Sequence, residues 1–219
     1  MVISQSVLEV SALTAAERSR LGALYQQHYT AGHNFQRDLL EKDWVLLLRD
    51  PQGIVGFSTL QRLEMPVGVV YFSGDTLVLA AHRHSYDLPR MWGQFVFQKV
   101  AHESRPCLWF LICSGFRTYR FLPVFFQRFY PRHDLPTPVD IQQSLDQLAT
   151  SRFGALYQQG VVQLASANHE PLPARRLDSH AQFFLKKNPG WAQGHELACL
   201  TWLNPANLTR AGQRMVTGC

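Results

Sequence analysis

The side chains best suited to chemistry lie in one short segment, residues 75 to 86. Asp75 carries a carboxylate that could accept a proton, and His82 or His84 could move one, because a histidine ordinarily titrates near neutrality. Arg83, between the histidines, can bind a phosphate. Each residue also has an ordinary interpretation: a Ser-Gly-Asp turn, loop histidines and a solvated arginine. The segment therefore predicts either proton transfer beside an anion or a plain connecting loop.

A second candidate segment, residues 116 to 130, mixes aromatic rings with arginines and includes Arg117 and Tyr119. Aromatic rings with interleaved cations can stack on bases and neutralise phosphates, as nucleic-acid-binding proteins do. The rings could equally fill a core while the arginines face solvent. A third interpretation is that they line a tunnel for a long acyl chain. The residue types alone leave these three interpretations open.

A strand before the first segment and a helix after it must position its side chains. Residues 67 to 72 and 76 to 79 are apolar and rich in β-formers, and they flank Ser73-Gly-Asp75. The strand is therefore either interrupted by a bulge or split by a turn. Residues 91 to 100 carry apolar side chains at three- and four-residue steps, which predicts a helix packed on a sheet. We expect residues 69 to 99 to form a strand, a loop and a helix.

Further elements are predicted on both sides of this unit. Thr14 and Glu17 have the spacing of a capping box, which predicts a helix from about 15 to 29. The turn sequence at 49 to 53 separates two apolar, β-rich runs and predicts an antiparallel hairpin. The remaining predictions are a short helix at 35–43, hairpin strands at 44–48 and 54–60, a strand buried on both faces at 107–113, helices at about 118–129 and 140–158, and a strand at 196–203.

The order of these elements resembles the GNAT acyltransferase fold. Residues 76 to 88, Thr-Leu-Val-Leu-Ala-Ala-His-Arg-His-Ser-Tyr-Asp-Leu, are similar to that family's central strand running into its donor-binding loop. In the family this loop reads Arg or Gln, two residues, Gly, one residue, then Gly or Ala. Small residues there let backbone amides approach the donor's pyrophosphate. Arg83 matches the basic position, whereas Tyr86 and Leu88 stand where small residues are usual.

The resemblance covers about residues 40 to 130 and implies an α/β fold with a GNAT-like mixed, mostly antiparallel central sheet flanked by helices. It implies an N-acyltransferase whose donor is acyl-CoA or acyl-phosphopantetheine on an acyl carrier protein. The acceptor would be an amine of a small molecule or of a peptide side chain. The altered loop and the aromatic segment favour a medium or long chain, as in GNAT-like enzymes that transfer fatty acyl groups. An acidic carrier protein would also suit the basic charge of the chain.

The resemblance also assigns roles to individual residues. Amide formation from a thioester needs a base for the amine and a proton source for the leaving thiolate. Asp75 lies near where several GNAT-like enzymes place a glutamate base, Tyr119 starts the helix where the family often places the thiolate's acid, and His82 is a further proton-transfer candidate. The expected donor-binding set comprises the backbone of Leu77, Val78 and Leu79, which would pair with the pantetheine arm, and the side chains of Arg83, His84, Ser85, Tyr86 and Arg117.

Composition limits the remaining choices. The 219 residues are 46% hydrophobic and only 17% charged, which indicates a folded chain. We expect one domain, with residues 1–140 as the core with the donor site and residues 141–219 completing the sheet and the acceptor side. The formal net charge of +5 would attract anions. A rival interpretation is therefore a non-catalytic, GNAT-derived binding module with an anionic nucleic-acid or protein partner, of which nucleic acid is the less favoured.

The cysteines and the apolar runs exclude two further classes. The four cysteines show no CxxC pairing and no histidine at metal-ligand spacing, which predicts free thiols and no metal site. No window reaches the roughly 18 uninterrupted apolar residues of a membrane span, and the first residues lack a signal-peptide pattern. We expect a cytoplasmic protein without a membrane span.

Overall fold

The computed structural model describes residues 3–28, 34–83, 85–164 and 177–218. The chain divides into two compact units. The first unit comprises Met1–Cys107 with Arg214–Cys219, and the second comprises Leu108–Gln213. The organisation as one domain with a core at residues 1–140 stays a prediction.

Antiparallel strands that follow one another in space as they do in sequence form the sheet of the first unit. The predicted hairpin of residues 44 to 60 is confirmed, and the capping box is confirmed because Thr14 and Glu17 exchange hydrogen bonds of 2.9 and 3.2 Å. The strand at the start of the chain was not predicted. In chain order the elements are β1 (Ser4–Glu9), α1 (Ala15–His28), α2 (Phe35–Leu40), β2 (Trp44–Asp50), β3 (Gly53–Met65), β4 (Gly68–Val78) and α3 (Asp87–Val100).

Helices cover both faces of this sheet. Leu21 and Leu24 of α1 and Leu39 of α2 are fully buried in a cluster with the side chains of one face, among them Val45, Leu47, Phe57 and Leu77. The alternate residues of the strands point to the other face, where Trp92 of α3 donates a 3.0 Å hydrogen bond to Ser73 Oγ. The ring of Phe95 meets that of Trp44 edge-on at 5.4 Å. Burial of both faces explains why the strands are so apolar.

A bulge interrupts β4. Ser58 of β3 pairs with Thr76, whereas Leu60 pairs with Ser73, so two residues of β4 lie opposite Thr59. These two residues are Gly74 and Asp75. Of the two predicted alternatives, the bulge is confirmed and the splitting turn is wrong.

The helix after β4 begins earlier than its apolar spacing predicted. α3 starts at Asp87 with Tyr86 as its N-cap, and Arg90 N donates to Tyr86 O at 3.0 Å. Pro89 fits within this first turn because the N–H that it lacks would have no partner within the helix there. Leu88 turns into the core, with 4% of its surface exposed.

Strand β9 organises the second unit. It pairs antiparallel with β5, β6 and β8, and β8 pairs antiparallel with β7. Helix α6 packs against β9. The elements are β5 (Cys107–Cys113), α4 (Phe116–Tyr119), α5 (Phe121–Phe125), β6 (Phe129–Tyr130), α6 (Val139–Phe153), β7 (Tyr157–Gln158), β8 (Val161–Val162), α7 (Ser179–Lys187) and β9 (Glu196–Trp202). The last helix, α8 (Arg210–Thr217), begins in the second unit and ends in the first. An α/β fold with mostly antiparallel strands and flanking helices is thus confirmed.

The single helix predicted at about 118–129 is wrong. The chain forms two short helices instead, α4 and α5, and Phe126 already has extended backbone. Pro123 has no N–H to bond the carbonyl of Tyr119, so one helix cannot run through this segment unbroken. Helix α6 also ends earlier than predicted, because Gly154 adopts a φ of +55° directly after it.

Three cysteines of the described chain, Cys107, Cys113 and Cys199, are free and buried, as predicted. Cys219 lies outside the described residues. Every helix in the part of the chain that the structure describes is too short or too polar to cross a bilayer.

Candidate functional site

The end of β4 carries the backbone that was predicted to pair with a donor. Leu79 N donates to Val55 O at 2.9 Å, and Val78 O accepts a 2.8 Å hydrogen bond from Arg83 Nε. Leu77 O approaches Gly56, where an added Cβ would lie 3.1 Å from it. These three backbone groups therefore have neighbours of their own, and a donor that paired with Val78 O would have to displace the Arg83 guanidinium.

Asp75 lies at the bulge and is partly buried. Leu77, two residues on, belongs to the core beneath α1 and α2, so strand alternation puts Asp75 on that same face. The nearby hydroxyls lie on the opposite face of the sheet. Thr76 Oγ1 is 2.7 Å from Ser58 Oγ, and Ser73 Oγ accepts a hydrogen bond from Trp92.

His82 connects the end of β4 to the hairpin turn. Its Nε2 lies 3.5 Å from Asp50 Oδ2, and both side chains are nearly buried, with 10% and 7% exposed. Asp50 Oδ1 accepts the backbone N–H groups of Gln52 and Gly53 at 2.8 and 3.1 Å. The Asp50 carboxylate therefore both orients the His82 ring and closes the hairpin turn.

The loop between β4 and α3 is short and rests partly on its own backbone. Ser85 Oγ donates to His82 O at 3.3 Å, and the side chain of Arg83 is exposed. Tyr86 is 69% exposed at the start of α3 and makes no side-chain capping bond. In the first turn, Asp87 Oδ1 accepts a 3.3 Å hydrogen bond from Gln5 Nε2. A bulky ring and a carboxylate therefore flank the helix N-terminus where small neutral residues would favour a pyrophosphate.

The predicted residues of the second unit lie in different surroundings. Tyr119 is fully buried and donates a 2.8 Å hydrogen bond to Pro131 O. Rings of Phe129, Phe183 and Phe184 surround it with centroid distances of 5.9 to 6.1 Å. Burial, and then the thiols of Cys199 and Cys113, raise the pKa of Tyr119 well above its usual range. Arg117, on the same short helix, is exposed.

The structure thus groups most of the predicted residues in the first unit, along β4 and the loop that follows it. Asp75, His82, Arg83, Ser85 and Tyr86 lie there with the backbone of residues 77 to 79, whereas Tyr119 and Arg117 belong to the second unit. His84 lies outside the described residues. The catalytic and donor-binding roles of all of these residues stay predictions.

Sequence reasoning missed a buried charged pair at the bulge. Lys42 Nζ lies 2.7 Å from Asp38 Oδ2, with none of the lysine side chain exposed. A lysine four residues after an aspartate is a common surface pattern, so the spacing gave no signal of burial. Within the described residues, no group of three or more histidine, cysteine, aspartate or glutamate side chains is arranged to hold a metal ion.

Comparisons with known proteins give similarity only among solved structures. No family model matches the chain, and no curated protein matches it. The chain is similar to Naa50 of Arabidopsis thaliana, solved with a bisubstrate analogue (12% identity, 62% of this chain and 93% of that one, TM-score 0.44). It is also similar to Escherichia coli ElaA (14%, 61% and 95%, 0.42) and to an acyl-CoA N-acyltransferase from Pseudomonas aeruginosa (11%, 50% and 79%, 0.41). With TM-scores below 0.5, these similarities are not evidence of a shared activity.

Proposed function

We propose that the protein is an N-acyltransferase that moves a medium or long acyl chain from acyl-CoA or an acyl carrier protein to an amine. The amine would belong to a small molecule or to a peptide side chain. One observation carries the proposal: a bulged strand bears Asp75 and leads, within a few residues, to the basic loop and N-terminus of α3. This is the arrangement that the GNAT resemblance implies. Bulges often lie next to active sites, where they re-aim a side chain.

The chemistry assigns a simple role to each part. Asp75 would take a proton from the acceptor amine, whose nitrogen then forms a bond to the thioester carbonyl carbon. The carbon–sulfur bond breaks, and the thiolate leaves and takes a proton from water, while Asp75 releases its proton to water. Arg83 would bind a phosphate of the donor, exchanging its hydrogen bond to Val78 O for one to an anion.

The surroundings of α3 favour a donor held differently from acetyl-CoA. Tyr86 is exposed where a glycine would leave the helix N-terminus open, and the Asp87 carboxylate disfavours a pyrophosphate at the same place. A phosphopantetheine arm presented by a carrier protein needs fewer contacts of that kind.

The test is a panel of acyl-CoA and acyl-carrier-protein donors from two to sixteen carbons, mixed with pooled amines and followed by thiol release and product mass. We expect transfer to increase with chain length. Arg83→Gln should raise the KM for the donor roughly tenfold, the value of one charge-assisted hydrogen bond. The exposed Arg210→Gln is the matched control and should change nothing. Absence of thiol release with every donor would contradict the proposal.

A binding module without catalysis is the second candidate, and the contact between Arg83 and Val78 O favours it, since that contact occupies the backbone predicted for the donor. Such a module would bind an anionic partner through its basic charge. Strongly salt-dependent binding of a polyanion, with no thiol release from any thioester, would support the module and remove the enzyme.

A further inference from the structure

The buried ammonium of Lys42 is the most unusual charge in the first unit. Lys42 follows α2 in the connection to β2, and its side chain has no exposed surface. The carboxylate of Asp38, 12% exposed, lies 2.7 Å from Nζ. A buried ammonium is costly unless it is paired, and a lysine in a connecting segment ordinarily extends into water. The chain instead directs this one inward, toward β4.

Three contacts place the ammonium at the bulge. Lys42 Nζ lies over the Phe72 ring, 5.2 Å from its centroid, at a distance suited to a cation–π interaction. A Cβ added to Gly74 would lie 2.7 Å from Lys42 Cε and 3.5 Å from Nζ. The same Cβ would lie 2.6 Å from the buried Thr59 Oγ1. The lysine chain therefore fills the space that a side chain at residue 74 would take.

Asp75 follows Gly74 directly and lies on the face toward which Lys42 points. Thr59 and Gln61 follow Phe57 at two-residue steps, so they lie on the same face of β3 as Phe57, which packs beneath α1. Phe72 pairs with Gln61 and therefore lies on that face too. A positive charge within a few ångströms of a carboxylate favours its ionised form, and burial strengthens the effect because water screens it less.

We propose that Lys42 is a positioning residue that holds the bulge of β4 through Gly74 and Phe72 and stabilises the ionised form of Asp75. Asp38 fixes the ammonium from α2. Lys42 would thereby set the lowest pH at which Asp75 can accept a proton. The catalytic use of this proton transfer rests on the proposed function. The coupling between the charges of Lys42 and Asp75 does not, because it is a property of the protein without substrate.

The other titratable groups near the bulge lie on three sides of it. The helices on the same face carry Asp38 of α2, which pairs with Lys42, and Tyr25 of α1, whose ring stacks on Phe35 at 4.6 Å. His82 and Arg83 come after the strand ends, and His82 is paired with Asp50. The opposite face presents Trp92 and Ser73 to each other, neither of which titrates in this range.

The test measures the titration of the Asp75 carboxyl by carbon-13 NMR of aspartate-labelled protein, with the signal assigned from the Asp75→Asn spectrum. Lys42→Met should raise the titration midpoint of Asp75 by about one to three pH units, the usual effect of removing a nearby opposite charge. Lys42→Arg, which keeps the charge, should restore most of the difference. The exposed Asp140 on α6 is the internal control and should titrate identically in every variant.

A second variant keeps the test decisive if Lys42→Met fails to fold. Asp38→Asn combined with Lys42→Met removes both charges of the pair, so neither is left buried alone. The Asp75 midpoint should lie about one to three pH units above that of Asp38→Asn alone, because these two proteins differ only in the lysine charge, and a difference below about 0.3 pH units would overturn the proposal.

Activity provides an independent readout. The acidic limb of the pH profile of kcat/KM should move upward in the folded lysine variant by the amount that the NMR midpoint moves. If the wild-type protein releases no thiol from any donor, the proposed function fails while the NMR comparison still decides the role of Lys42. If transfer occurs but the acidic limb stays in place, the positioning role fails and the acyltransferase stands.

Discussion

The bulge of β4 and the aromatic cluster of Tyr119, Phe129, Phe183 and Phe184 each contain a residue predicted to transfer a proton. They surround that residue differently. Asp75 is partly buried at a strand bulge whose Gly74 contacts the Lys42 side chain, whereas Tyr119 is fully buried among rings and already donates to Pro131 O. A proton-transferring group must meet the reacting atom, so the geometry supports Asp75 more strongly than Tyr119.

The comparison also separates two ways of burying a polar group. In the aromatic cluster the hydroxyl is neutral and one hydrogen bond satisfies it. At the bulge a full charge is buried, and its pairing with Asp38 offsets the cost of that burial. The first arrangement stabilises a core, and the second makes the local stability depend on charge.

Removing only the lysine charge should have the largest effect on stability. Lys42→Met leaves the nearly buried Asp38 carboxylate without its partner, and we expect a loss of about 3 to 5 kcal/mol in the free energy of unfolding measured in urea. The exposed Lys186→Met on α7 is the matched control. A loss equal to that of the control would show that the pair is not buried as described.

The next effect concerns the space at the bulge. Gly74→Ala would put a Cβ 2.6 Å from Thr59 Oγ1 and 2.7 Å from Lys42 Cε, so one of them must move. We expect a loss of about 1 to 3 kcal/mol, as for overpacked cores. Gly115→Ala, at a position where nothing lies within 4 Å, is the control. Equal unfolding midpoints for the two variants would contradict the close contact.

Tyr119→Phe tests the other side of the comparison. The variant keeps the ring and removes the hydrogen bond to Pro131 O, and we expect a loss of about 1 kcal/mol in stability. Acyl transfer should change by less than about threefold, since general acid–base roles are worth at least 10²-fold. A loss of rate beyond 10²-fold with unchanged stability would make Tyr119 the acid and reverse the comparison.

The smallest effect is a pH dependence within the second unit. Burial, and then the charge of His133, lower the pKa of His180 from 6.5, and the two rings lie 4.5 Å apart. The unfolded chain therefore binds this proton more readily, so stability should fall as the pH drops below about 6.5. Urea midpoints at pH 7.5 and 5.5 should differ less in His180→Gln than in the wild type. The exposed His102→Gln should leave the difference unchanged, and an unchanged difference in His180→Gln would contradict the assignment.

Local signals in the sequence were sufficient where short-range physics determines the structure. The capping box of Thr14 and Glu17 starts α1, the turn at residues 49 to 53 closes the hairpin, and the Ser-Gly-Asp sequence at 73 to 75 marks the bulge. Such elements depend on residues close in sequence. These elements also occur in the order that the resemblance required, which is why the fold class could be predicted.

Long-range contacts account for what the sequence did not show. β1 is only six residues long with an irregular apolar pattern, and its pairing with β2 decides its structure. The pair of Lys42 and Asp38 has the spacing of an exposed helix pair, and only the tertiary packing of β4 buries it. Tyr119 was selected by its place in the chain order, and its hydrogen bond to Pro131 comes from the connector that folds back onto α4.

The central claim, that Asp75 takes the proton from the acceptor amine, is tested most directly by the Asp75→Asn variant assayed with the best donor of the panel. We predict a fall in kcat/KM of about 10²- to 10⁴-fold in a protein that is still fully folded at the assay temperature, and a normal rate for the exposed control Asp140→Asn. A rate for Asp75→Asn equal to that of the control would contradict it.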